Sequence, residues 1–188
     1  DDCLACHEGG AGPLLGVHAL QLSPIRDLKA PHAEALEPDH VDLPALVAAG
    51  ILQNLDVRLL DQPPQITATS DNGRAALGYL HSNCGICHND KGPLWDLDFS
   101  LLQSALPASR STDRTLVSTL LRESESVAPG VDRRIVPGHA EMSTLLFRLR
   151  SRNKVWQMPP LGRRVPDDEA ISLIEHWINQ DLNLIKEH

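Results

Sequence analysis

The chain has 188 residues, with 25 acidic against 17 basic side chains and a formal charge of -8. No basic tract or aromatic-basic interleaving points to nucleic acid, and no apolar run approaches the length of a membrane span. Two Phe, one Tyr and three Trp are few for this length, so the interior is expected to rest on Leu, Ile and Val or on a large flat group held inside it.

In chain order, residues 1 to about 30 read as irregular, with Gly9, Gly10, Gly12 and Gly16 allowing tight bends and Pro13 breaking any helix. Leu20 to His40 has no period, and Pro24, Pro31 and Pro38 mark it as loop. Asp42 is expected to cap a short helix over Leu43 to Ala49, with Gly50 past its end. Ile51 to Leu60 reads as a helical turn or a strand, and Asp61-Gln62-Pro63-Pro64 as a linker. The boundary is therefore placed so that residues 1-65 form an irregular N-terminal unit and 66-188 a second domain.

The second unit is more regular. Ser70 or Asp71 should cap a helix running through Gly78 into Cys84. A glycine there costs about 1 kcal/mol relative to alanine, which suggests a helix crossing closely at Gly78. Trp95 to Leu106 is expected to be partly helical and closed by Pro107, and Thr112 or Asp113 to start a helix ending near Ser126. Pro129-Gly130 and Pro137-Gly138 punctuate a mobile-looking connection. Ser143 begins a helix with Leu145, Leu146, Phe147 and Leu149, and Arg148, Arg150 and Arg152 in its last turns favour the helix dipole. Asp167 caps a final helix whose stripe is Ala170, Ile171, Leu173, Ile174, Trp177 and Ile178. The class expected from these elements is all-α.

Two pentapeptides carry the chemistry. Cys84-Gly85-Ile86-Cys87-His88 and Cys3-Leu4-Ala5-Cys6-His7 each set two cysteines three apart with a histidine directly after. That pattern suits two thioethers to the vinyl groups of one porphyrin, with the adjacent imidazole as the iron's proximal ligand. All four cysteines are consumed, giving two haem c groups and two irons. One tetrahedral zinc site built from the four cysteines is the main rival, and His7 and His88 weigh against it. A Gly-Pro-Leu triplet follows each motif, at Gly12-Pro13-Leu14 and Gly92-Pro93-Leu94. Of the two methionines, Met158 sits in a rigid Gln157-Met158-Pro159-Pro160 segment and is the expected sixth ligand of the second haem, whereas Met142 has the spacing of core packing. The N-terminal unit has no methionine, so a second histidine is expected to complete its iron: His32 first, with His18, His40, His81 and His139 as alternatives.

From the entry helix, Cys84-Cys87-His88, the Gly-Pro-Leu turn, the late Met-Pro-Pro loop and the final helix, residues 66 to 180 resemble a class I cytochrome c domain. The resemblance implies a cytochrome c-like helical fold preceded by the short irregular haem-binding unit. It also implies His88 and Met158 as an axial pair, and a carbonyl near Pro93 orienting the His88 ring. The residues around Cys84 and Met158 also resemble the cytochrome-like C-terminal portions of larger secreted bacterial proteins.

The function expected is one-electron transfer through two haems between soluble or membrane-bound redox proteins. The alternatives are a dihaem enzyme, peroxidase-like or sulfur-oxidising, with one open iron, or a cytochrome module, sensing or docking, of a larger redox protein. Covalent haem attachment and the start at Asp1 together suggest a removed export signal and a periplasmic or otherwise exported protein.

Overall fold

The computed structural model describes residues 7, 9, 17–35, 37, 39–106, 110–162 and 164–183, leaving the Val127 side chain aside. Cys3, Cys6, Gly10, Gly12, Pro13, Gly16, Pro38 and Pro107 lie outside these described residues. Among the described residues six α-helices of four residues or more are laid out, and side chains cap the first turns of three of them. Helix α1, Leu43–Ala48, is capped by Asp42, which accepts the Ala45 N–H at 2.9 Å, and α2, Arg58–Asp61, is a single turn. Helix α3, Asp71–Asn83, starts at Ser70, whose hydroxyl accepts the Gly73 N–H at 2.9 Å and donates to the Asp181 carboxylate. Helices α4, Ser111–Thr119, and α5, Thr144–Arg150, follow. Helix α6, Asp168–His176, is capped by Asp167 and widens into a π turn over Trp177–Asp181.

The core lies between α3, α5 and α6. Ala76, Leu77 and Leu80 of α3 meet Ile171, Ile174, Trp177 and Ile178, and Leu146 and Leu149 of α5 close the cluster. Each fully buried Leu or Ile contributes about 1.5–3 kcal/mol by leaving water. The close approach to α3 falls at Gly73, not Gly78. A Cβ on Gly73 would lie 3.4 Å from the Trp177 indole nitrogen, whereas one on Gly78 would meet only the Ile66 methyl at 3.7 Å.

With 38% helix and 7% strand, the fold is a small mixed arrangement, and the all-α expectation of a wholly helical, cytochrome c-like domain is corrected here. The difference lies after α4. The expected helix to Ser126 stops at Thr119, because Leu120 turns extended and the backbone pairs instead with the segment carrying Ile135. Leu121 N–H donates to the Ile135 carbonyl at 2.8 Å, and Ile135 N–H to the Thr119 carbonyl at 3.2 Å. Fully buried Ile135 anchors that exchange. Strands β1, Glu123–Ala128, and β2, Val131–Arg133, then form an antiparallel hairpin turned at Pro129-Gly130. Nor is Pro137-Gly138 loosely held: the Gly138 N–H donates to the Ile178 carbonyl at 2.9 Å. No helix of the described residues is long and apolar enough to cross a membrane.

A buried polar network ties α3 to α4. The Gln103 side chain donates to the Thr115 hydroxyl at 2.8 Å and accepts from Ser111 and Thr112, while its N–H donates to His81 Nδ1 at 3.1 Å. Burial, then the nearby His18 ring, pushes the His81 pKa down to about 4. Between the unfolded value near 6.5 and about 4, the unfolded chain binds a proton that folded His81 refuses. Stability from this group is therefore full above the unfolded value and falls as pH drops, by roughly 3 kcal/mol at the lower limit. Denaturant titrations from pH 7 to 4 should show a shallower loss in His81→Gln than in the unmodified protein.

Candidate functional site

Helix α3 delivers the second pentapeptide. Cys84 is its C-cap, and the Cys84 carbonyl accepts the N–H groups of both Cys87, at 3.1 Å, and His88, at 2.9 Å. This turn gathers the three reactive side chains within one loop. Cys84 and Cys87 are half-buried and not joined in a disulfide. Together with His88 they line a cavity of about 300 Å³, at the lower end of ligand-pocket sizes. Met158, seventy positions after His88 in the chain, lines the same cavity. Leu80, Phe99, Leu101, Leu145 and Leu149 supply its apolar wall.

His88 is 9% exposed, and its Nδ1 is buried with no hydrogen-bond partner among the described residues. The carbonyl near Pro93 that the resemblance implies therefore does not take this nitrogen. Burial, assisted by the Arg148 and Arg134 charges, lowers the His88 pKa to about 4. The ring is neutral at ordinary pH and keeps a lone pair for a metal. Phe99 packs on it with ring centroids 4.6 Å apart, and the Arg134 guanidinium lies 5.0 Å over Phe99.

The surroundings are held firmly. Arg134 donates to the carbonyls of Leu97, Asp98 and Ser118 at 2.6–2.8 Å. Arg114 pairs with Asp90 and Asp98, each at 2.6 Å, fixing the loop that follows His88. The Met158 N–H donates to the Arg148 carbonyl at 3.1 Å, and Arg148 Nε to the Trp156 carbonyl at 2.9 Å. Met158 is thereby tied to the last turns of α5. Met142, read as core, is half exposed in a 3₁₀ turn.

The remaining expected ligands are placed elsewhere. His7 is exposed, and its partners Cys3 and Cys6 lie outside the described residues. His32, at a φ of 58°, aims both ring nitrogens at α6, with Nε2 3.0 Å from Asp167 and Nδ1 3.2 Å from Glu169. Those carboxylates, Asp167 first, raise its pKa. His18 packs its ring on His81 at 4.5 Å, and His139 lies beside Glu141. His32, His40 and His81 line a second cavity, of about 590 Å³, between residues 20–41 and α3.

Sequence reasoning missed Thr144, Arg134 and Arg148. Thr144 is 2% exposed, its hydroxyl has no partner among the described residues, and it lines the smaller cavity beside both arginines. No local pattern marks these residues, because the hairpin and α5 bring them together. Comparison with family models, curated proteins and solved structures returns no match, so the residues alone carry the argument.

These residues fit a covalently held haem. Two thiols and a neutral imidazole share one wall, a thioether lines the same space, and two buried polar atoms lack partners there. Among the described residues no three His, Cys, Asp or Glu side chains converge to cage an ion by themselves. An unpaired buried hydroxyl costs about 1–3 kcal/mol. Thr144→Val should therefore stabilise the protein without any bound group by about 1 kcal/mol in denaturant titrations, and destabilise the haem-loaded protein if a haem carboxylate uses that hydroxyl.

Proposed function

We propose that this chain carries two covalent c-type haems and passes single electrons between redox partners. The observation that supports it most is the convergence of Cys84, Cys87, His88 and Met158 on one mainly apolar cavity. Cys84 and Cys87 would hold the group covalently, with His88 and Met158 also holding it; Cys3, Cys6 and His7 would hold the second. When bound, such a group supplies reversible one-electron chemistry at iron, at a potential set by axial ligands, burial and hydrogen bonds.

The chain's own residues prepare that chemistry. Burial keeps the His88 imidazole neutral, so its lone pair is available without losing a proton. Arg148 holds the Met158 backbone, and Phe99 with the leucines excludes water from the imidazole. Arg134 and Arg148 bring positive charge to a cavity in an otherwise acidic chain, suiting a group that bears carboxylates. With both His88 and Met158 engaged in holding the group, little room would remain for a substrate at that site, which supports electron relay over catalysis. The partners proposed are soluble or membrane-bound redox proteins, met in the periplasm or outside the cell.

Met158→Ala should abolish the weak methionine-to-ferric-iron absorption band and lower one potential, because a thioether favours ferrous iron. A band that survives, or that disappears in Met142→Ala instead, would contradict the assignment. For the N-terminal centre, His32 serves as ligand only by leaving Asp167 for iron. Low-temperature EPR of the oxidised protein should show two low-spin species, one of them lost in His32→Ala. A large high-spin signal in the unmodified protein would favour the dihaem enzyme with an open iron.

A further inference from the structure

One stretch of the chain runs against its overall charge. Residues 148–165 hold Arg148, Arg150, Arg152, Lys154, Arg163 and Arg164, six of the 17 basic side chains, and none of the 25 acidic ones. This is the segment that leaves α5 and carries Met158. Arg163 lies outside the described residues. Arg148 lines the smaller cavity, and Arg150 pairs with Glu175 at 2.7 Å. Arg152, Lys154 and Arg164 are exposed and enter no ion pair among the described residues. Of the acids that follow, Asp167 and Glu169 are turned to His32.

Apolar side chains stand among these cations. Val155 is 69% exposed, Leu161 44% and Val165 74%. The loop that presents them is held in one shape. The Asn153 carbonyl accepts the N–H groups of Trp156 at 2.9 Å and Gln157 at 2.8 Å, and the Gln157 side chain donates to the Pro160 carbonyl at 3.1 Å. Behind it, Trp156 meets Phe147 edge-on with ring centroids 6.4 Å apart. A surface ordered in advance loses little freedom when a partner seats on it. The middle of the same loop, Met158 to Pro160, lines the cavity that Cys84, Cys87 and His88 share. The loop is therefore a wall with the cavity on one side and exposed cations and apolar groups on the other.

We propose that the outer side of residues 152–165 is the docking surface for an acidic one-electron carrier protein, whose electron enters the cavity across the Met158 loop. The inference rests on the electron-transfer reading. Charge complementarity selects the partner: a formal charge of -8 repels an acidic protein from the chain as a whole, while unpaired Arg152, Lys154 and Arg164 attract it to one place. Exposed valine and leucine give the contact an apolar centre that cations border. In the exchange the partner's centre loses one electron and this protein's oxidised iron gains it, with no bond made or broken.

The sign of the salt dependence tests the proposal on the haem-loaded full chain. The probe is flavodoxin hydroquinone, an acidic carrier that becomes the semiquinone as it gives up its electron. Two proteins of negative net charge that met at random would react faster as salt screens their repulsion. Docking at the basic loop predicts the reverse, a rate constant that falls about tenfold between about 0.01 and 0.2 M salt. Arg152→Glu combined with Lys154→Glu should lower the low-salt rate about tenfold and abolish its fall with salt. Arg26→Glu combined with Lys29→Glu makes the same change of net charge on exposed residues elsewhere, and should leave the rate within about twofold. A rate that rises with salt in the unmodified protein, or equal effects of the two double variants, would overturn the proposal and leave the electron-transfer reading standing. So would binding of phosphatidylglycerol vesicles, or dimerisation of the chain, that depends on Arg152 and Lys154 while the flavodoxin rate ignores them. A chain that shows no haem spectrum on reduction with dithionite would remove the reading itself. If the loop variant fails to fold, the salt dependence of the unmodified protein decides.

Discussion

The end of helix α3 is the constraint on which the rest depends. Its cap at Ser70 is bound to Asp181, its close face at Gly73 is covered by Trp177, and its last turn becomes the Cys84–His88 loop. Because Cys84 accepts two successive amides, the two thiols and the imidazole have little freedom relative to the helix axis. Packing of α3 on α6 therefore transmits directly to the cavity wall. Helix α5, packed on the same α6, brings Thr144, Arg148 and, through the Arg148 backbone, Met158 to that cavity.

Electrostatics and burial act together there. His88 is neutral because it is desolvated and faces two arginines, while those arginines are themselves held below their ordinary pKa by burial. Arg134 avoids isolation by taking three carbonyls and the face of Phe99. The chain as a whole is acidic, so positive charge concentrated at this cavity is a local feature of the fold. What stays unsatisfied, His88 Nδ1 and the Thr144 hydroxyl, lies beside the same space. Buried polar groups are rarely left so, which makes the cavity the natural place for a bound group.

Local signals were legible in the sequence. Asp42, Ser70 and Asp167 cap the helices expected of them, and the stripe from Ala170 to Ile178 is buried except for Leu173, which is partly so. The pentapeptide at Cys84 and the methionine at 158 were read from spacing and proline context, and both line one cavity. The hairpin was not legible, because Glu123-Ser124-Glu125-Ser126 has neither a helical stripe nor an apolar alternation. Its existence depends on Ile135 occupying the core and drawing Leu121 into pairing. The surroundings of His32 were not legible either: its proline neighbour says nothing of the carboxylates of Asp167 and Glu169 at the start of α6, which its ring meets across 135 residues or more.

Intact-mass measurement of the denatured full chain tests the central claim most directly, because only a covalent bond survives loss of the fold. The account predicts the mass of the polypeptide, 20.6 kDa, increased by two haems, with the modified peptides spanning Cys3 to His7 and Cys84 to His88. An unmodified mass after export and maturation in a host competent for haem attachment would contradict it, as would a zinc ion released on denaturation in place of a covalent adduct.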